Sequence, residues 1–151
     1  MTININTIKK ASEELLGNIV RTPTIRSQYL SNEINSDVFL KVQNLQYTSS
    51  FKVRGAYISI KQLKEEQKQM GVIAMSAGNH AQAVAWWAQK ENVNATIVMP
   101  EHAPLSKVMK TKSLGAEVIL KGRTLNESQT YVSELVKNKK LTLIHPYDDP
   151  N

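Results

Sequence analysis

Lys52 stands in the run Ser50-Phe51-Lys52-Val53-Arg54-Gly55-Ala56, and Ser76-Ala77-Gly78-Asn79-His80-Ala81-Gln82 follows downstream. A lysine amine can add to an aldehyde as a Schiff base, and a loop of small polar residues that opens a helix offers backbone N–H groups to an anion. If Lys52 enters its helix, the positive end of the helix dipole opposes an ammonium there and favours the free amine that attacks carbonyls. Each segment has a plainer account when taken alone. Lys52 can be a surface lysine after a cap, and Ser76 to His80 an ordinary glycine-containing turn. The spaced glycines of a Walker loop or a dinucleotide fingerprint are missing.

The two segments act together only if the elements around them bring them together. Ile8, Ala11, Leu15 and Leu16 recur at helical spacing before Gly17, which predicts a first helix over residues 7 to 16. Arg21-Thr22-Pro23 interrupts it. Ser27 is the amino cap of a short helix expected to bury Leu30 and Ile34, and Asp37 opens a strand through Val38, Phe39, Leu40 and Val42. A polar loop is expected from Gln43 to Ser50. Val53, Ala56, Tyr57, Ile60 and Leu63 then mark one helix face, running into charged residues before Gly71. Four short apolar runs follow, Val72 to Met75, Ala95 to Met99, Glu117 to Leu120 and Leu141 to Ile144, with a helical segment in each gap. That alternation predicts an α/β fold with a parallel sheet flanked by helices.

The chain has 151 residues, of which 41% are hydrophobic and 21% charged, as expected of a soluble globular domain. No run reaches a membrane span and the amino terminus lacks a secretory signal, so a cytoplasmic address and no membrane partner are expected. The absence of cysteine excludes disulfides and thiolate chemistry. A net charge of +6 suits an anionic partner, yet the lysines are dispersed. Only Lys137 to Lys140 clusters, at an expected helix carboxyl end, and no arginine-aromatic platform accompanies it, so nucleic acid is not an expected partner. His102 and His145 have no metal-ligand spacing, and no metal is expected.

Gln43-Asn44-Leu45-Gln46, the Lys52 and Ser76 segments, Val98 to Lys107, Gly115 to Leu120 and His145-Pro146-Tyr147-Asp148-Asp149-Pro150 together resemble the fold-type II pyridoxal phosphate enzymes. Within them the chain is most similar to threonine ammonia-lyases, also called threonine dehydratases, with serine racemases and dehydratases as further relatives. The resemblance implies pyridoxal 5'-phosphate as cofactor, a small amino acid as substrate and a place in amino-acid metabolism such as isoleucine biosynthesis. Lys52 would be the Schiff-base lysine and the acid/base group at the substrate α-carbon. Phe51 would pack on the cofactor ring and Asn79 would bond its hydroxyl. Ser76, Ala77, Gly78, Asn79 and His80 would form the loop that holds the substrate carboxylate. Serine racemases place a second serine where this chain has Ala77, and alanine has no proton to deliver, which favours elimination over racemisation.

By the same resemblance residues 1–45 form an arm of the larger cofactor domain, residues 46–144 the small, tryptophan-synthase-beta-like domain, and residues 145–151 a truncated connection. The glycine-rich phosphate loop and the group at the pyridine nitrogen belong to a half that does not follow. This predicts an amino-terminal fragment inactive by itself, which needs its missing half or associates with itself. The alternative is a non-catalytic remnant serving as an interaction module. Eight further residues carry plainer expectations. Trp86 and Trp87 are read as packing residues, Lys61, Lys64 and Lys68 with Glu65 and Glu66 as a solvated face of i to i+4 pairs, and Arg54 as the partner of an acid that holds the lysine helix.

Overall fold

The computed structural model describes residues 3–147. Asp148 to Asn151, part of the expected connection, lie outside the described residues. Helix α1 spans Ile5–Glu14, two residues ahead of its predicted start, because Asn4 and Thr7 cap each other. Asn4 Oδ1 accepts from the Thr7 N–H at 3.1 Å, and Thr7 Oγ1 accepts from the Asn4 N–H at 3.0 Å. Strand β1 (Thr24–Arg26), which the sequence did not announce, pairs antiparallel with β2 (Phe39–Lys41) around helix α2 (Gln28–Ile34). Ser27 caps α2 as expected, its Oγ accepting from the Leu30 N–H at 3.3 Å.

The expected burial of Leu30 and Ile34 does not occur. They are 38% and 63% exposed, and Phe39 on β2 is 60% exposed. The described residues place nothing over this face, whereas Leu15 beyond α1 joins the main core. The Gln43 to Ser50 loop contains two 3-10 turns, Gln43–Leu45 and Tyr47–Ser49.

The long helix expected after Lys52 is two helices, α3 (Lys52–Lys61) and α4 (Glu65–Met70). Lys64 is extended at the break, and Gln67 Oε1 reaches back to accept its N–H at 2.9 Å, so a new amino end is satisfied locally. The charged face is correspondingly altered: Lys68 pairs with Glu65 at i+3 over 3.2 Å, and Lys61 reaches Glu91 on a different element at 3.5 Å.

Strands β3 (Val72–Met75), β4 (Ala95–Met99), β5 (Glu117–Leu120) and β6 (Thr142–Leu143) form one parallel sheet in the order β5-β4-β3-β6. Helices α5 (Asn79–Lys90), α6 (Leu105–Ser113) and α7 (Leu125–Lys139) make the crossovers. Alternation along β3 and β4 divides the core. Val72, Ala74 and Ile97 pack with α3, α5 and α6, while Ile73 and Val98 pack with Val132 and Leu135 of α7 on the other face. Helix α5 is buried on most of its circumference because α3 covers it opposite the sheet, and Ala81, Ala83, Ala85 and Ala88 let both neighbours approach. No helix among the described residues is long and apolar enough to cross a membrane.

The turn from β5 into α7 depends on one glycine. Gly122 has φ +89°, and a Cβ there would meet the Ser128 backbone nitrogen at 2.6 Å and its Oγ at 2.8 Å. Ser128 cannot retreat, because it is fully buried and its Oγ donates to Lys121 O at 2.8 Å. Gly122→Ala is therefore expected to lower the urea midpoint by the equivalent of about 1–3 kcal/mol, from left-handed strain and overpacking together.

Candidate functional site

Strands β3, β4 and β5 progress in one direction across the sheet, and β6 returns to the far side of β3. The strand order thus reverses between β3 and β6, whose parallel carboxyl ends lie side by side. A crevice at such a reversal is where open α/β sheets bind ligands. A cleft of about 500 Å³ lies here, its walls including Phe51, Lys52, His80, Ile144, Pro146 and Tyr147.

Lys52 is the first residue of α3, as its sequence predicts, and its backbone N–H donates to Ser50 Oγ at 3.2 Å. The turn before it is strained. Thr48 and Ser49 have φ +56° and +55°, and Thr48 Oγ1 is buried without a hydrogen-bond partner among the described residues. Aromatic packing holds this turn against α5. Tyr47 stacks on Trp86 at 4.5 Å between centroids, and Lys90 Nζ lies 4.4 Å from the Trp86 centroid. Trp87 is 3% exposed and donates from Nε1 to Val53 O at 2.8 Å, joining α5 to the first turn of the lysine helix. Both tryptophans are thus packing residues, as expected.

The Lys52 side chain is half-buried and enters the cleft. Its Nζ donates to Pro146 O at 2.7 Å and lies 5.3 Å and 5.0 Å from the ring centroids of Phe51 and Tyr147. Phe51 keeps 58% of its surface exposed, leaving a ring face beside the amine for a planar ligand. His80 is 6% exposed, and its Nε2 sits 2.9 Å from Ile144 O. Arg54 also lines the cleft, but the acid expected as its partner is replaced by an amide: its Nε donates to Gln43 Oε1 at 3.1 Å.

The cleft brings together Phe51, Lys52 and His80. Ser76, Ala77, Gly78 and Asn79 form the adjoining turn into α5 and are not among the cleft's walls. Ser76 Oγ folds back to accept the Gly78 N–H at 3.1 Å, leaving its own hydrogen available for donation. Ala77 leans on the main core. Gly78 precedes the helix with φ −132°, and an added Cβ would come no nearer than 3.9 Å to Ser76 Oγ, so packing within the chain makes no demand for glycine there. Asn79 is exposed at the first position of α5. A helix start of this kind presents N–H groups lacking intrahelical acceptors and the positive end of a dipole, which together favour a carboxylate. Sequence reasoning missed the carbonyls of Ile144 and Pro146 as partners of His80 and Lys52. Their only sequence signal was the His145-Pro146-Tyr147 run.

Residues 15–151 match the family described as "Pyridoxal-phosphate dependent enzyme". The L-threonine dehydratase catabolic TdcB of Staphylococcus aureus (strain USA300) is 50% identical over 148 residues, covering 97% of this chain and 43% of that protein. Among solved structures, serine racemase from Dictyostelium discoideum superposes with a TM-score of 0.90 at 32% identity, covering 99% of this chain and 48% of that one. The processed form of threonine deaminase isoform 2 from Solanum lycopersicum gives a TM-score of 0.86 at 34% identity, covering 99% and 43%. The chain therefore spans less than half the length of these relatives.

Proposed function

Because this chain belongs to the pyridoxal-phosphate dependent enzyme family, we propose that it contributes the lysine side of a threonine ammonia-lyase site, converting L-threonine to 2-oxobutyrate and ammonia. The observation that carries this reading is the Lys52 amine in the cleft at the sheet reversal, beside the amino end of α5. The cleft fits the aldehyde and ring of the cofactor: it has an amine in its wall, an exposed aromatic face at Phe51 and a volume typical of small-ligand sites. Among the described residues its walls include no glycine-rich turn for a phosphate. We assign that contact to residues equivalent to the part of the relatives that this chain does not span.

When bound, pyridoxal phosphate supplies an electrophilic aldehyde carbon and a conjugated ring that accepts the electron pair left as the substrate Cα–H bond breaks. Lys52 provides the amine that binds the aldehyde and, once free, takes the α-proton at Nζ. The first-turn amides of α5 and the Ser76 hydroxyl would orient the substrate carboxylate, and Asn79 would hold the cofactor's ring hydroxyl. Phe51 and Tyr147 flank the amine, their ring centroids 5.3 Å and 5.0 Å from Nζ. Ala77 leaves the loop without a second hydroxyl, which favours loss of the β-hydroxyl over return of a proton to the opposite face. Threonine is preferred to serine as the substrate because the curated relative is named for it. Its name also describes that relative as catabolic, which favours a degradative role in cytoplasmic amino-acid metabolism over isoleucine biosynthesis.

The test is direct. The chain, supplied with a carboxyl-terminal half from a threonine dehydratase and with pyridoxal phosphate, is expected to release 2-oxobutyrate from L-threonine and to do so more slowly from L-serine. Absence of any 2-oxo acid, in a mixture that binds the cofactor, would remove the lyase assignment.

A further inference from the structure

The chain leaving β6 carries two carbonyl groups, two residues apart, with different partners. Ile144 O lies 2.9 Å from His80 Nε2, and Pro146 O accepts from Lys52 Nζ at 2.7 Å. A carbonyl oxygen can only accept, so His80 Nε2 carries the hydrogen. The Ile144 N–H makes the last ladder bond of the strand, to Ile73 O at 2.9 Å, and His80 fixes the peptide plane that follows. Between the two carbonyls the proline ring restricts one of the few soft torsions. With that torsion fixed, fewer are left to absorb a displacement of the Ile144 carbonyl before it reaches Pro146. Lys52 has a flexible four-carbon stem, and the place of its amine is set by its acceptor.

We infer that His80 is a positioning residue for Lys52, acting through the Ile144–Pro146 segment, so that the helix holding the substrate carboxylate also sets the location of the reactive amine. The inference rests on the proposed function for the importance of the amine, but its geometry is independent of cofactor and substrate. His80 has further interactions of its own, and the coupling requires only the one to Ile144.

The whole 151-residue chain is labelled with trace acetic anhydride, and the rate at Lys52 is read by peptide mass spectrometry against exposed Lys139 in the same molecule. His80→Leu, which fills the space without a donor, is expected to raise the relative Lys52 rate about two- to tenfold, the range for one ordinary hydrogen bond. His80→Gln, whose side-chain amide restores an N–H, is expected to return it toward wild type. Pro146→Gly, which frees the torsion between the carbonyls, is expected to raise it while His80 is intact, and it decides the matter if the histidine variants fail to fold. Wild-type Lys52 labelling in either His80→Leu or Pro146→Gly overturns the inference, as does equal acceleration in the leucine and glutamine variants. No cofactor or threonine enters the assay, so its failure is separable from failure of the lyase reading.

Discussion

Lys52→Ala is expected to abolish the visible absorbance band that forms when the protein takes up pyridoxal phosphate. It should also abolish the borohydride-stabilised mass increase on the Lys52 peptide. In a protein completed to the length of its relatives, threonine turnover should fall by about 10²- to 10⁴-fold or more, because one residue supplies both the covalent anchor and the proton acceptor. Lys52→Arg sharpens the test. Arginine keeps the positive charge beside the rings of Phe51 and Tyr147, but its guanidinium is always protonated and does not form the imine. Both variants should therefore be equally inactive. An arginine variant that retained the band would show that another lysine carries the cofactor.

Trp87→Ala is expected to have the largest effect on stability. The indole is 3% exposed, its ring centroid lies 4.6 Å from that of Tyr57 and 4.5 Å from that of Trp86, and its Nε1 holds Val53 O. Truncation removes that packing and leaves a cavity between α3 and α5, for a loss of about 3–5 kcal/mol in urea unfolding. That is a large part of the roughly 5–15 kcal/mol that holds a typical domain. Trp87→Phe should cost about 1–3 kcal/mol, since most of the apolar contact survives while the Val53 carbonyl loses its donor. A difference of less than about 0.5 kcal/mol between the variants would mean that the helix pair is held elsewhere.

The parallel sheet was legible because its strands are short apolar runs at regular intervals, and the core of such a sheet is buried on both faces. Three of the four runs coincide with the observed strands, and β6 is confined to Thr142–Leu143. The α3–α4 break was not legible, since Gln67 caps Lys64 through a long side chain rather than by a residue with strong cap preference. β1 gave little signal because it is three residues long and exposed throughout, whereas β2 falls inside the apolar run after Asp37 that reads as a strand. In the site, Lys52 and His80 stood out by type and spacing. Their partners did not, because the carbonyls of Pro146 and Ile144 belong to the backbone, 94 and 64 residues away in sequence. The loop at Ser76 was visible as a motif, but the return of its hydroxyl to Gly78 follows from backbone conformation that a residue string does not encode.

The 94-residue separation between the Lys52 amine and its acceptor also orders events during synthesis. At about 5–20 residues per second, Lys52 leaves the ribosome roughly 5–20 s before Pro146 does. Throughout that interval its amine has neither Pro146 O nor the Tyr147 ring beside it, and remains open to any small aldehyde in the surrounding solution. Those contacts form only when β6 docks on β3. The reactive group is thus made early and enclosed late, and slow translation between the two lengthens its exposure to adventitious modification.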